Sequence, residues 1–272
     1  MTARIADVVA ALEERYPPAW AESWDRVGLV LGDPEAPAAR VLFVVDCVPE
    51  TVDEAEQVGA DLIVAHHPLL LRGVSSVAPT TYKGRIVHRL IRAGIGLFTA
   101  HTNADVANPG VSDALAARLG LVDTRPLRPS PADPSRGSGR IGSLPAPMSL
   151  AELTAFAARA LPPTTFGVRA AGDPALAVER VAVCGGAGDP YLADASAAGA
   201  DVYLTADLRH HPASEHVASD GPALLDAAHW ATERPWLDNA AELLRADVSV
   251  QTVVSDVDTD PWTVHEPSRA HE

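Results

Sequence analysis

Residues 59–68, Gly59-Ala-Asp-Leu-Ile-Val-Ala-His-His-Pro68, join a glycine turn, a short apolar strand and a histidine pair. The uncharged run 62–65 is typical of a strand that is buried on both faces of a parallel sheet. Similar short runs bounded by Gly, Asp or Pro lie at 27–31, 41–45, 95–100, 181–184, 202–205 and 223–227. Segments with helical spacing separate them, at 4–16, 49–58, 84–92, 111–119, 150–161, 191–198 and 237–244. Strands that alternate with helices in this way predict an α/β fold.

The same order of features returns later in the chain. The run 41–44 matches 181–184, and Gly59-Ala60-Asp61 matches Gly199-Ala200-Asp201, both at an offset of 140 residues. Each copy then reaches His-His-Pro, at 66–68 and at 210–212. Each copy also has a strand ending in His with an acid four residues later, His101 with Asp105 and His229 with Glu233. Four matches in one order predict an internal duplication, with two similar α/β lobes.

The predicted lobes cover residues 1–121 and 149–272. Residues 122–148 contain six prolines among Ser, Gly and Arg, so we expect this segment to be a connection between the lobes. Ser149-Leu-Ala-Glu152 then has the pattern of a capping box, in which the Ser and Glu side chains each bond a backbone N–H at a helix start.

Charge and composition exclude several classes of protein. The 272 residues carry a formal charge of −15 and one lysine, so duplex nucleic acid is not an expected partner. The two cysteines are far apart, which argues against a disulfide framework and against a thiolate zinc site. Neither a signal peptide nor a run of about 18 apolar residues is found, so no membrane association and a cytoplasmic location are expected.

Histidines concentrate at the duplicated positions, and these six are His66, His67, His101, His210, His211 and His229. Ligands gather at the carboxyl ends of strands in open α/β sheets. A His and a carboxylate four residues apart share one face of a helical turn, where they can bind one ion. One such His is more often structural, but the combination favours a metal site, and bridging carboxylates suit a dinuclear centre. We therefore expect the lobes to face each other across a metal-containing cleft.

Two features leave alternatives open. His210 and His211 precede Pro212, so they fit a helix cap as well as a metal site. The loop Gly185-Gly-Ala-Gly188 follows a predicted strand and precedes a predicted helix. Its backbone N–H groups either hold a phosphate or carboxylate, or form only a tight turn between the two elements.

Five motifs together resemble the NGG-interacting-factor-three-like family, whose bacterial members are named GTP cyclohydrolase I type 2 homologues. They are Trp24-Asp-Arg-Val-Gly-Leu29, Gly59-Ala-Asp-Leu-Ile-Val-Ala-His-His-Pro-Leu69, His101-Thr-Asn-Ala-Asp105, Gly199-Ala-Asp-Val-Tyr-Leu-Thr-Ala-Asp207 and Asp226-Ala-Ala-His-Trp-Ala-Thr-Glu233. The resemblance covers nearly the whole chain. It implies a two-lobed α/β protein with a dinuclear metal centre between the lobes, assembled as a ring-shaped homohexamer.

Carried over residue by residue, the resemblance implies five metal ligands, which are His66, His67, Asp105, His229 and Glu233. Glu233 would bridge two ions, while His101 would contact the ligands or the substrate, or move a proton. Nitrogen and oxygen ligands without thiolate admit Zn²⁺, Mn²⁺, Fe²⁺, Co²⁺ or Ni²⁺. The chain departs from the family at Ala206 and Ala228, where Gly is more frequent, and it has a short connection where longer members carry an inserted domain.

Two functions fit these residues. The resemblance implies a metal-dependent hydrolase acting on a small molecule, with a nucleotide or a purine ring as its substrate. The alternative is a non-catalytic protein that binds, stores or delivers a divalent ion, or that serves as an interaction scaffold. The two hypotheses differ in whether adding metal to metal-free protein produces turnover.

Overall fold

The structure is a computed structural model that describes residues 2–266. The strands are β1 (Gly28–Leu31), β2 (Arg40–Val44), β3 (Leu62–Ala65), β4 (Gly96–Thr99), β5 (Val122–Ser130), β6 (Asp133–Ser149), β7 (Val168–Ala171), β8 (Ala177–Ala187), β9 (Val202–Ala206), β10 (Ala223–Ala227) and β11 (Gln251–Val254). The helices are α1 (Ile5–Arg15), α2 (Pro49–Val58), α3 (Tyr82–Ala93), α4 (Thr102–Asp105), α5 (Val111–Arg118), α6 (Leu150–Ala160), α7 (Leu192–Ala197), α8 (His210–Ala218) and α9 (His229–Asp247). Within the described residues, none of these helices is long and apolar enough to cross a membrane.

The described chain forms two compact units. Unit 1 comprises residues 2–111 and Trp236–Thr259, and unit 2 comprises Ser112–Pro235 and residues 260–266. Unit 1 contains a five-stranded sheet in the order β1-β4-β3-β2-β11, and unit 2 a six-stranded sheet in the order β5-β6-β8-β9-β10-β7. Helices accompany both sheets, which confirms the predicted α/β class.

The two sheets share a topology. In unit 1, β2, β3 and β4 are parallel neighbours, and β1 pairs antiparallel with β4 at the sheet edge. In unit 2, β8, β9 and β10 are parallel neighbours, and β7 pairs antiparallel with β10 at the sheet edge. Every residue of β3, β4, β9 and β10 is buried, so these strands are the cores of their sheets. The shared order agrees with the predicted internal duplication.

The repeated Gly-Ala-Asp motif makes the same contacts in both units. Asp61 Oδ2 accepts hydrogen bonds from the backbone N–H groups of residues 39–40, at 2.7 and 2.9 Å. Asp201 Oδ2 accepts the equivalent bonds from residues 179–180, at 2.9 and 2.8 Å. The glycine of each motif has positive φ, 64° and 70°, which a residue without Cβ adopts at little cost. The motif therefore ties the start of one strand to the start of the next.

The segment 122–148 is part of a sheet, and the prediction of a connection there needs correction. It forms β5 and most of β6, which pair antiparallel. Proline is tolerated on an edge strand and at irregular pairing, because no ladder hydrogen bond is lost there. Pro126 and Pro129 lie in the edge strand β5, and Pro145 and Pro147 lie where the β6–β8 register shifts, between Ser143 and Met148.

The predicted C-terminal lobe 149–272 does not form one unit. Its residues 267–272 lie outside the described range. Strand β11 pairs in parallel with β2 and therefore belongs to the sheet of unit 1. The apolar run 251–254 is short, and its partner β2 lies about 200 residues away in the sequence. Local pattern carries no information about such a distant pairing.

A buried ion pair stabilises unit 2. Arg140 is 1% exposed, and its guanidinium donates to both carboxylate oxygens of Asp113, each at 2.6 Å. The same side chain donates to the carbonyl oxygens of Gly137 and Gly139, each at 2.7 Å. The guanidinium is thus taken out of water only because fixed acceptors surround it.

We expect Asp113→Ala to lower the free energy of unfolding by about 3–5 kcal/mol, because it leaves a buried guanidinium without its counter-ion. Urea denaturation measures the change. The matched control is Asp53→Ala, which removes an exposed carboxylate that pairs with Arg89 at the surface. That control should cost less than about 1 kcal/mol. Equal losses of unfolding free energy in the two variants would show that burial of the Arg140–Asp113 pair does not determine its contribution to stability.

Candidate metal centre

Unit 1 brings three of the histidines together, and we call His66, His67 and His101 the histidine cluster. His66 and His67 follow β3, and His101 follows β4. Because β3 and β4 are parallel neighbours, their carboxyl ends lie at one edge of the sheet. The ring centroids of the cluster are 5.0, 5.2 and 5.5 Å apart, and one ring nitrogen from each residue lies within 4.8 Å of the others. Asp105 Oδ1 is 3.7 Å from His66 Nε2, so this predicted carboxylate also reaches the cluster.

Each ring of the histidine cluster is oriented by an oxygen at Nδ1. The partners are the Ala100 carbonyl for His66 at 2.9 Å, Asp46 Oδ1 for His67 at 2.8 Å and Asp25 Oδ1 for His101 at 2.9 Å. With Nδ1 engaged in this way, Nε2 is the nitrogen that a metal would take. Such an oxygen–histidine–metal arrangement fixes the tautomer and raises the basicity of the ligand.

Asp25 was not among the predicted site residues, although it lies in the quoted motif 24–29. Burial opposes its ionisation, but hydrogen bonds from His101 and Thr102 hold the pKa of this carboxyl well below its ordinary value. Thr102 contributes both its hydroxyl, at 2.5 Å, and its backbone N–H, at 3.0 Å. At neutral pH the His101 ring therefore faces a carboxylate.

Unit 2 places His229 and Glu233 in contact. Both lie in the first turns of α9, and His229 Nε2 is 3.0 Å from Glu233 Oε1, as the four-residue spacing predicts. His229 Nδ1 is 2.7 Å from Asp207 Oδ2, so this ring too is oriented by a carboxylate. Burial favours neutral His229, but Glu233 and Asp207 outweigh burial and raise its pKa to about 11. A metal that binds His229 must therefore displace a proton.

Gly186 lies against this pair. Its φ is +68°, and a Cβ at this position would be 3.0 Å from His229 Nε2 and closer still to Glu233 Oε1. The absence of a side chain therefore leaves room for the His229–Glu233 pair. Glu233 is 3% exposed, so the carboxylate has little freedom to move away.

The structure supports neither alternative that the sequence left open for Gly185–Gly188, because the segment 185–187 is the end of β8 rather than a tight turn. The N–H donors are bonded within unit 2: Gly185 to Ser112 Oγ at 3.3 Å, Gly186 to Thr232 Oγ1 at 2.9 Å and Gly188 to the Ala206 carbonyl at 3.4 Å. These three groups do not point to an anion.

His210 and His211 differ from their counterparts in unit 1. They begin α8 with exposed side chains, and their ring centroids are 5.2 Å apart. The position directly after β9 is taken by Asp207, the partner of His229. The four additional residues of the second copy therefore move its histidine pair into a helix.

The donor atoms of both units fit a divalent metal ion. They are imidazole nitrogens whose rings are oriented by oxygen acceptors, together with carboxylate oxygens. Nitrogen and oxygen donors of this kind suit first-row divalent ions rather than ions that require thiolate. Gly186 adds a space that a side chain would fill.

Comparison with known proteins gives a consistent result. The profile of the Duf34/NIF3 (NGG1p interacting factor 3) family matches residues 3–261. A Streptomyces coelicolor protein named GTP cyclohydrolase 1 type 2 homolog is 54% identical over 269 residues, which cover 96% of this chain and 94% of that protein. A Mycobacterium tuberculosis protein of the same name is 40% identical over 378 aligned positions, which cover 99% of each chain.

Solved structures show the same fold. A Bacillus cereus protein related to NIF3 superposes with a TM-score of 0.91 at 24% identity, covering 97% of this chain and 100% of that one. A Staphylococcus aureus protein superposes with a TM-score of 0.90 at 28% identity, with the same coverage of 97% and 100%. The α/β architecture described above is therefore shared with proteins of known structure.

Proposed function

Because this chain belongs to the Duf34/NIF3 (NGG1p interacting factor 3) family, we propose that it is a metal-dependent hydrolase of a small molecule, with a nucleotide or a purine ring as its substrate. The observation that carries the proposal is the orientation of four imidazoles. His66, His67, His101 and His229 each have Nδ1 bonded to an oxygen. That arrangement is typical of histidines that bind or serve a metal ion.

In this proposal His66, His67, Asp105, His229 and Glu233 would hold two divalent ions, and Glu233 would be a ligand to both. The ions would be Zn²⁺, Mn²⁺, Fe²⁺, Co²⁺ or Ni²⁺, which all accept this donor set. Bound divalent ions would supply positive charge that lowers the pKa of a water molecule and polarises the substrate. Support comes from the His66–Asp105 and His229–Glu233 contacts, each between two proposed ligands.

His101 is the proposed proton carrier. Its Nδ1 is bonded to the Asp25 carboxylate, which orients the ring so that Nε2 would be the atom that takes up and releases the proton. The ring stays within 5.2 and 5.5 Å of His66 and His67, so a proton would move close to the proposed ligands. Thr102, bonded to the second oxygen of Asp25, holds that carboxylate in place.

The proposal also includes assembly as a homohexamer in the cytoplasm, which the family resemblance implies. Size-exclusion chromatography with light scattering measures the number of copies. Since a monomer has a mass of 28.5 kDa, a hexamer gives about six times that value. A monomeric mass at working concentration would contradict the proposed assembly without affecting the proposed ligands.

Metal removal tests the proposed activity. Elemental analysis of untreated protein identifies the bound ion, and dialysis against a chelator then removes it. We expect the metal-free protein to be inactive on a panel of purine nucleotides, and added Mn²⁺, Zn²⁺ or Fe²⁺ to restore turnover, measured by purine absorbance and released phosphate. If the protein rebinds ions tightly but turns over none of these nucleotides, it is a metal-binding scaffold and the hydrolase proposal is wrong.

A further inference from the structure

Residues 255–259, which we call the β11 extension, lie in unit 1 directly after strand β11. The Ser255 N–H donates to the Phe43 carbonyl at 2.9 Å, so the extension continues alongside β2 beyond the last paired residue of β11. Ser255 is 2% exposed, and its hydroxyl donates to Glu54 Oε2 at 2.5 Å. Because β2 and β11 are parallel, the extension runs toward the edge of the sheet where Asp46 follows β2.

The extension ends on the carboxylate that orients His67. Thr259 Oγ1 donates to Asp46 Oδ2 at 2.5 Å, while Asp46 Oδ1 is 2.8 Å from His67 Nδ1. The main chain of Asp46 is held as well, because its carbonyl accepts from Thr51 Oγ1 at 2.8 Å. A carboxyl group turns about its last side-chain bond within a broad energy well, so one hydrogen bond alone fixes its plane poorly. The bond from Thr259 supplies a second fixed point.

The same arrangement occurs a second time in the histidine cluster. Asp25 binds His101 Nδ1 through Oδ1 at 2.9 Å and accepts from Thr102 Oγ1 through Oδ2 at 2.5 Å. The two carboxylates differ in burial, because the Asp25 side chain is 0% exposed and that of Asp46 is 30% exposed. Packing therefore restrains Asp46 less, and water competes for its oxygens. We expect the bond from a threonine to matter more at Asp46 than at Asp25.

We propose that Thr259 is a positioning residue for the metal site: its hydroxyl fixes the plane of the Asp46 carboxylate, which in turn fixes the ring of His67. With Nδ1 bonded to Asp46, Nε2 is the nitrogen that an ion would take. This inference rests on the proposed function, because His67 is a proposed metal ligand. Thr259 lies outside all five quoted motifs, 213 residues from Asp46 in the sequence. The β11 extension is thus part of the support of the metal site.

Metal titration tests this role without reference to turnover. Thr259→Val removes the hydroxyl and keeps the branched shape, whereas Thr259→Ser keeps the hydroxyl. We expect Thr259→Val to weaken Co²⁺ binding about tenfold, the lower end of the range for groups that support a ligand, because Thr259 acts on His67 through Asp46. Thr259→Ser should bind Co²⁺ like the unaltered chain. Calorimetry measures the affinities, and urea denaturation shows whether each variant is folded.

The visible absorption of bound Co²⁺ adds a signature of ligand geometry. We expect the spectrum of Thr259→Val to differ from that of the unaltered chain, and the spectrum of Thr259→Ser to match it. The control is Thr252→Val, which makes the same change on β11 itself, at a hydroxyl that accepts from Arg245. Its Co²⁺ affinity and spectrum should both be unchanged.

The possible failures of this role and of the proposed function are distinct. Unchanged affinity and spectrum in Thr259→Val would overturn the inference, and so would a loss that Thr259→Ser or Thr252→Val shares equally. If the unaltered chain binds none of Co²⁺, Zn²⁺ and Mn²⁺, the proposed ligands are wrong and the inference fails with them. If it binds these ions without turnover, the hydrolase proposal fails, and the role of Thr259 is still decided by the affinities.

Discussion

Glu233→Gln is expected to abolish metal-dependent turnover and to weaken metal binding by at least about 100-fold, since loss of a group that only supports a ligand already costs 10- to 100-fold. Glutamine keeps the size of the side chain but has no charge to bind or bridge two cations. Glu233 is 3% exposed and contacts His229 at 3.0 Å, so the effect should be local. Calorimetric metal titration and elemental analysis measure binding, and nucleotide turnover measures activity.

The matched control for this variant is Glu242→Gln, which makes the same chemical change at an exposed position of the same helix, α9. Metal content and turnover should match those of the unaltered chain. Full turnover in Glu233→Gln would contradict the proposed mechanism. Metal loss that is equal in the two variants would show that net charge, rather than coordination, governs binding.

Local patterns in the sequence predict the residues that lie at strand ends. His66 and His67 follow one buried strand, and His101 follows its parallel neighbour, so topology alone places them at one edge. The spacing of His229 and Glu233 likewise predicts the observed contact, because four residues make about one helical turn. These predictions succeed since each depends on one element or on two adjacent strands.

Asp25 and Asp46, which orient the rings of His101 and His67, were not predicted by local spacing, because they lie in other parts of the sequence. Asp25 is 76 residues from His101, and Asp46 is 21 residues from His67. The strand order nevertheless places both aspartates at the same sheet edge as the histidines. Asp46 follows β2 as the histidines follow β3. Asp25 precedes β1, an antiparallel strand whose amino end lies beside the carboxyl end of β4, since Gly28 pairs with Thr99.

The hairpin of β5 and β6 shows a limit of composition-based prediction. Proline, glycine and serine favour turns when only neighbouring residues are considered. The structure places Pro131 in the turn between β5 and β6, as composition predicts, but it places Pro126 and Pro129 on an edge strand and Pro145 and Pro147 at a register shift. Proline is tolerated at edges and irregular pairings because a missing N–H there costs no ladder bond. Whether a strand lies at an edge is decided by the whole sheet, so the information is absent from the segment itself.

Gly186→Ala is expected to damage the proposed metal site without removing a ligand. Alanine at φ +68° costs about 1–2 kcal/mol in the left-handed region. Its Cβ would also press on Glu233 Oε1 and lie 3.0 Å from His229 Nε2, so both side chains must move. Because displaced ligands no longer hold the geometry that a metal ion needs, we expect metal affinity to fall by at least about tenfold. Calorimetric metal titration measures this change, and urea denaturation measures the loss of stability.

Gly120→Ala separates the two effects. Gly120 is also in unit 2 and has φ +66°, but a Cβ there would meet open space. The control should therefore lose a similar free energy of unfolding while its metal affinity stays unchanged. If both variants bind metal like the unaltered chain, the space at Gly186 is not needed for coordination. If Gly186→Ala and Gly120→Ala lose metal affinity equally, the loss follows from lower stability. The contact of Gly186 with His229 and Glu233 would then give no support for these two residues as ligands.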